Sequence, residues 1–216
     1  MNSPFSASNI ILIDATGETL KSALFQESKM VATPNTCGQP MESFFQNIAE
    51  ICERTSIDEV GEFFLCTGTG SILGTRTASV AISTIANFSN AKIFEWNCMQ
   101  TAAYALADRN ENKFSLLTPS RKGFANLLNF DCAITFFEEI PIEQVQANAL
   151  AKKISLFQRS KVPLIFSEFE QFNLDAQTAF ETLKKHPDLL SACTEAPEAK
   201  SLTKREYVKW KAQAHI

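Results

Sequence analysis

Glu62-Phe63-Phe64-Leu65-Cys66 runs without a break into Thr67-Gly68-Thr69-Gly70-Ser71-Ile72-Leu73-Gly74-Thr75-Arg76, and Thr77–Phe88 beyond it is rich in Ala, Ser, Val and Ile. The first five residues read as a buried strand, the middle as a glycine-punctuated turn, and the last stretch as a helix packed closely on its neighbours. The chain has only 7 glycines in 216 residues, where average usage would give about fifteen, so three glycines in one turn are informative. Glycine permits positive φ and close backbone approach. A strand–turn–helix of this kind could bare the helix N-terminus to a phosphate. It could equally let a small-residue helix lie tight against the sheet or a partner. The spacing is G-x-G-x-x-x-G. It has no lysine for a Walker A loop, and it misses the dinucleotide pattern G-x-G-x-x-G by one residue, although Glu95 stands near the distance of that pattern's acid.

Upstream, Asn9–Asp14 is a short apolar run ending in an acid. Thr16–Thr19 reads as a turn and Leu20–Gln26 as a second strand, which together predict a hairpin. Asp14 could meet Mg2+ or a phosphate-bound water, or cap the backbone amides of its own turn. Thr33–Pro40 is a proline- and glycine-containing loop. Met41, Phe44, Phe45, Ile48, Ile51, Cys52 and Thr55 then fall at helical spacing and predict one wide apolar stripe, with Pro40 and Glu42 at the helix start. Such a stripe is core in most helices, but on an outer helix it makes a partner site. Downstream, Lys92–Glu95 reads as a strand and Met99–Leu106 as a short helix. Asn110–Asn112 is a polar break and the candidate domain boundary. Lys113–Thr118, Phe124–Phe130 and Cys132–Phe137 read as three strands, the last two turning around Asn129–Asp131. Pro141 to about Phe157 is predicted helical, Val162–Phe166 a strand, Ala176–Leu183 a helix ending near Pro187, and Glu195–Lys200 a polar connection. Tyr207, Trp210 and Ala214 mark a terminal helix. Hairpins, helices and strands in two halves predict a mixed α/β protein of two small lobes.

Composition narrows the function classes. Hydrophobic residues are 45 % and charged residues 20 %, enough for a core. Net charge is -4, whereas a non-specific nucleic-acid binder is usually strongly basic. The tail cations Lys200, Lys204, Arg205, Lys209 and Lys211 could approach RNA phosphates or form a solvated face with Tyr207 and Trp210 inward. The six cysteines, at 37, 52, 66, 98, 132 and 193, form no C-x-x-C pair, and the two histidines, His186 and His215, form no metal motif. Scattered thiols fit a reducing cytoplasm. The first eight residues lack a secretory signal pattern, and no apolar run reaches the ~18 residues of a membrane helix. The expectation is a cytoplasmic protein without membrane contact. Ser71 and Ser79 have no histidine nearby, so no nucleophilic triad is proposed. Arg76 could pair with a carboxylate across an interface, bind an anion, or stay solvated.

Gly68–Arg76, between a strand and a small-residue helix, resembles the G-x-G-S-[FIL]-[TL]-G-x-R signature of the TsaB (YeaZ-type) family. Ile10–Thr16 (IILIDAT) is similar to that family's first strand, Thr118–Ala125 (TPSRKGFA) to its second-lobe D-A-R-x-x-E-[VI]-Y segment, and Pro197 with Tyr207–Lys211 to its P-x-Y-L-R and A-W-K-K ending. The order is the same over nearly the whole chain. Thr69 stands where the family has proline, Ser120 where it has aspartate, and the Tyr-Leu-Arg after Pro197 is replaced by Ala199-Lys200-Ser201 in this divergent sequence.

The resemblance implies an actin/Hsp70-like (ASKHA, RNase H-like) two-lobe α/β fold. Residues 1–109 would form the N-terminal lobe, joined by a terminal helix at 203–216, and 110–202 a smaller second lobe. It implies a non-catalytic subunit that supports tRNA threonylcarbamoyladenosine synthesis. No cofactor is expected on this chain, ATP and metal belonging to a TsaD-type catalytic paralogue. The implied partners are that paralogue and a TsaE-type ATPase, with tRNA reached through the complex and a homodimer as the rival state. The implied interface is a helical bundle made by Met41, Phe44, Phe45, Ile48, Ile51 and Cys52 with Arg76, Val80 and Thr84, set up by Gly68, Gly70, Ser71 and Gly74. The competing expectations are an ATP- and Mg2+-dependent phosphotransferase using Asp14 and the glycine loop, and a stand-alone homodimer.

Overall fold

A computed structural model describes residues 3–34, 38–156, 166, 168–193 and 197–198. The predicted strand at Val162–Phe166, except Phe166, and the predicted terminal helix lie outside the described residues, as does most of the polar connection at Glu195–Lys200.

The chain opens on three antiparallel strands, β1 (Asn9–Asp14), β2 (Lys21–Gln26) and β3 (Lys29–Ala32). Glu27 and Ser28 turn β2 into β3 with φ of 48° and 67°, the positive pair a two-residue hairpin needs. Helix α1 (Pro40–Cys52) leads through a single 3-10 turn at Ile57–Glu59 into β4 (Glu62–Gly68), buried along its whole length. Helix α2 (Ile72–Ser89), strand β5 (Lys92–Asn97) and helix α3 (Cys98–Ala107) follow. Next come β6 (Lys113–Pro119), β7 (Phe124–Asp131), β8 (Ile134–Pro141), the short helix α4 (Val145–Asn148), β9 (Lys153–Leu156), β10 (Glu170–Phe172), α5 (Ala176–Lys185) and β11 (Ser191–Ala192).

Two mixed sheets result, with strand orders β11-β5-β4-β1-β2-β3 and β10-β9-β6-β7-β8. β1 and β4 sit mid-sheet and run parallel, with Ile11 opposite Phe63 and Ile13 opposite Leu65. Strand alternation sends Ile10, Leu12, Phe64 and Cys66 to one face and Ile11, Ile13, Phe63 and Leu65 to the other. The first set joins α3, α5 and the inner face of the second sheet, including Leu116, Leu128 and Ile154, in one core. The second set is covered by α1 and α2. Leu117, Leu127, Ile140 and Val145 make a separate core on the far face of the second sheet.

Three expectations are corrected. Pro141–Phe157 is not one helix. It breaks into a 3-10 turn at Ile142–Gln144, the four residues of α4, and β9, because Ile154 and Leu156 fill the central core as strand neighbours of Leu116. The β7–β8 turn falls at Asp131–Ala133, where Cys132 adopts φ 57°, and not at Asn129–Asp131. Residues 110–202 do not all stay with the second sheet. α5 packs on α3 and β2, and Ser191 and Ala192 pair with Glu95 and Phe94 at the edge of the first sheet. Among the described residues no helix is long and apolar enough to cross a membrane.

Candidate functional site

The glycine turn is built around the end of β1. A Cβ on Gly70 would collide with the Thr16 carbonyl oxygen and sit 2.7 Å from the Thr16 Cβ. A Cβ on Gly74 would collide with the Ala15 carbonyl oxygen and come within 3.1 Å of Pro40 at the start of α1. Both glycines are therefore required by close approach, which seats the first turn of α2 against β1 and α1. The Ser71 amide donates to the Thr16 carbonyl at 2.7 Å, and the Ser71 hydroxyl caps α2 by accepting from the Gly74 amide at 3.2 Å. The Cys66 and Cys98 thiols both donate to the Gly68 carbonyl, at 3.3 and 3.2 Å. Burial pushes the Cys66 thiol well above its ordinary range, so it stays protonated.

Asp14 is buried at the end of β1, and its Oδ1 accepts from the Thr16 amide at 2.9 Å and the Thr16 hydroxyl at 2.5 Å. Asp14 thus forms the turn cap that was one of the two roles open to it in the sequence. The Ser71 amide ties the start of α2 to the end of β1, while the Gly74 amide is used in the α2 cap and Asp14 Oδ1 in its own turn. Among the described residues no three His, Cys, Asp or Glu side chains are gathered as a metal site.

Neither a sequence-family model nor a curated protein matches the chain. Solved structures do match. An uncharacterized Pseudomonas aeruginosa protein described as similar to peptidase YeaZ aligns with a TM-score of 0.67 and 12 % identity, over 91 % of this chain and 100 % of that one. YeaZ from Pseudomonas aeruginosa aligns with a TM-score of 0.61 and 11 % identity, over 84 % and 94 %. The fold is actin/Hsp70-like, in its YeaZ-like form. At these identities the likeness is one of fold.

In this YeaZ-like frame α1 and α2 lie side by side on the outer face of the first sheet. The stripe expected on α1 divides. Phe44, Ile48 and Ile51 turn inward and are 1 %, 8 % and 0 % exposed, because Phe63, Leu65 and Leu24 need a cover. These three are corrected from exposed interface to core. Asn47 is buried with them, and accepts from the Ser22 hydroxyl at 3.0 Å. Met41, Phe45 and Cys52 stay exposed, the first two at 55 % and 67 %. On α2, Arg76, Val80 and Thr84 also point outward. Sequence reading missed Leu73, at 61 %, and Phe88, at 83 %, on the same outer side. Their signal was present. Leu73, Val80 and Phe88 fall between the buried Ala78, Ile82 and Ala86 in sequence, so large apolar side chains stand on the outer side of α2 as well, among Arg76, Thr84 and Asn87. Phe45, Arg76, Thr77, Val80, Ala81, Thr84 and Ile85 line an open groove of about 490 Å3 between the two helices.

Proposed function

We propose that the chain is a non-catalytic subunit that pairs through the outer face of α1 and α2 with a TsaD-type catalytic paralogue, and so supports threonylcarbamoyl transfer to an adenosine in tRNA. One observation carries the reading: large apolar side chains (Met41, Phe45, Leu73, Val80 and Phe88) stand exposed on two adjacent helices, with Phe45 and Val80 in one groove, and exposed apolar surface of this kind marks a partner site. The YeaZ-like fold and the glycine signature supply the direction of the inference. Covering a Val- or Phe-sized side chain contributes roughly 1.5–3 kcal/mol before the costs of association. The glycine turn serves this surface mechanically, by fixing where α2 leaves the sheet. In this reading the protein works in the cytoplasm. ATP and metal reside on the paralogue, a TsaE-type ATPase is a third component, and tRNA is met through the complex.

Co-expression with the paralogue should yield a stable heterodimer on size-exclusion chromatography with light scattering. Phe45→Glu or Val80→Glu, both at exposed positions, should abolish it; a complex indifferent to both removes this face from the assembly. The phosphotransferase reading is tested by calorimetry with ATP and Mg2+. Tight binding by the isolated chain that Asp14→Ala removes would favour it over the subunit reading.

A further inference from the structure

Cys66 and Cys98 hang from neighbouring backbone paths. β4 and β5 pair in parallel, with Cys66 opposite Trp96 and Gly68 opposite Asn97, the residue before Cys98. Paired strands lie about 4.8 Å apart, and a disulfide bridges Cα atoms up to about 6.8 Å apart. Both side chains enter the core between the two sheets, 0 % and 1 % exposed. Cys66 Sγ lies 3.3 Å and Cys98 Sγ 3.2 Å from one atom, the Gly68 carbonyl oxygen, and the two thiols also hydrogen-bond each other. The other described cysteines stand apart from this pair: Cys52 and Cys132 are exposed, and Cys193 lies beside Glu95.

The two sulfurs differ in their surroundings. Cys98 is the first residue of α3, whose N-cap is Asn97, and a helix N-terminus favours a thiolate. Burial works against ionisation of Cys98, as does the Asp14 charge. Hydrogen bonds from the Cys66 thiol, the Thr16 hydroxyl and the Thr69 backbone outweigh them, so Cys98 titrates below its ordinary value. Cys66 is held protonated by burial. A nucleophilic sulfur thus stands beside one that keeps its proton, the arrangement of an attacking and a resolving cysteine.

We infer that Cys66 and Cys98 are a redox pair at the root of the glycine turn, closed to a disulfide by a hydroperoxide and reopened by a dithiol. The Cys98 thiolate attacks one peroxide oxygen, the O–O bond breaks, and the departing oxygen takes a proton from solvent. Cys98 is then a sulfenic acid. The Cys66 sulfur attacks the Cys98 sulfur, the S–O bond breaks, and hydroxide leaves as water with the Cys66 proton. Two thiols give up two electrons, and hydrogen peroxide is reduced to two waters. Burial sets the size of the oxidant, since a peroxide no larger than a pair of waters enters on a brief opening of the turn. The disulfide takes both S–H donors from the carbonyl of Gly68, the last residue of β4, and so loosens the seat of α2.

The experiment treats the full native chain with hydrogen peroxide, alkylates what remains reduced, and maps the peptides by mass spectrometry. A peptide linking Cys66 to Cys98, lighter by two hydrogens than its separate halves, should appear and should vanish with dithiothreitol. This measurement needs no variant to fold. In Cys66→Ala, dimedone should capture a sulfenic acid on Cys98, while in Cys98→Ala the Cys66 thiol should stay open to alkylation. Hydrogen exchange at the Ser71 and Gly74 amides should quicken several-fold in the oxidised chain. Oxidation confined to Cys52 and Cys132 overturns the pair, and so does a link that forms only in urea. Dimedone capture of Cys66 in Cys98→Ala overturns the order of attack, and exchange that is unchanged or slower overturns the coupling to the turn.

Discussion

At the residue scale, the glycine turn is decided by two carbonyl oxygens. Thr16 and Ala15 present theirs where a side chain on Gly70 or Gly74 would stand. Gly70→Ala or Gly74→Ala should lower stability by about 1–3 kcal/mol, the usual cost of forcing atoms into a filled site, and urea melts followed by circular dichroism would show it. Gly123, although at φ 81°, has open space around the Cβ position, so steric crowding is not what Gly123→Ala would add. Asp14 holds the other side of the same junction. Asp14→Ala removes the carboxylate that accepts from the Thr16 amide and should cost about 1–3 kcal/mol, the penalty for losing the acceptor of a buried donor. A loss confined to nucleotide binding, with stability unchanged, would contradict the structural role assigned to Asp14.

At the element scale, α1 separates two adjacent phenylalanines with opposite fates. Phe44 is in the core under the first sheet and Phe45 is in solvent, although their rings meet edge to face with centroids 5.5 Å apart. Phe44→Ala should destabilise the isolated chain by about 3–5 kcal/mol. Phe45→Ala should change its stability by no more than about 0.5 kcal/mol while weakening assembly. Equal losses of stability in the two variants would refute this division. Helical spacing alone marked both as one stripe, because a period of 3.6 identifies a side of a helix but not which edge of that side meets the sheet. The segment after Pro141 failed for the opposite reason. Its apolar spacing fits a helix, yet the strand edge offered by β6 takes Lys153–Ile154–Ser155 in parallel register and overrides local preference.

At the scale of the whole molecule, α3 and α5 form the layer between the two sheets, and their C-terminal ends are joined through Asp108. Its carboxylate accepts from Lys185 at 2.6 Å and lies 3.2 Å from His186 Nε2. Partial burial alone would raise the Asp108 pKa, but the hydrogen bonds and charges of Lys185 and His186 outweigh it, so the group titrates below its ordinary value. A carboxyl depressed in the folded state adds stability above the unfolded value, about pH 3.9, and loses it as pH falls through the lower folded value. Asp108→Asn should therefore lower the melting temperature at pH 7, with the gap to the parent protein closing below about pH 3.9. Thermal melts across that range check it, and a gap that stays constant with pH would rule the ion pairs out as its source.

Much of the architecture was legible before any coordinate. Alternating apolar strands, the hairpin at Thr16–Thr19, the glycine turn and the small-residue helix pointed to a mixed α/β chain, because these signals are local and depend on period and turn chemistry alone. Only the tertiary structure decided which side chains of α1 are core and which are surface. It alone returned Ser191–Ala192 to the first sheet, spent Asp14 on its own turn, and left Leu73, Arg76, Val80 and Phe88 outward beside Phe45. These outcomes depend on what stands across a sheet or beside a helix, on contacts between residues far apart in sequence, and no local pattern records them.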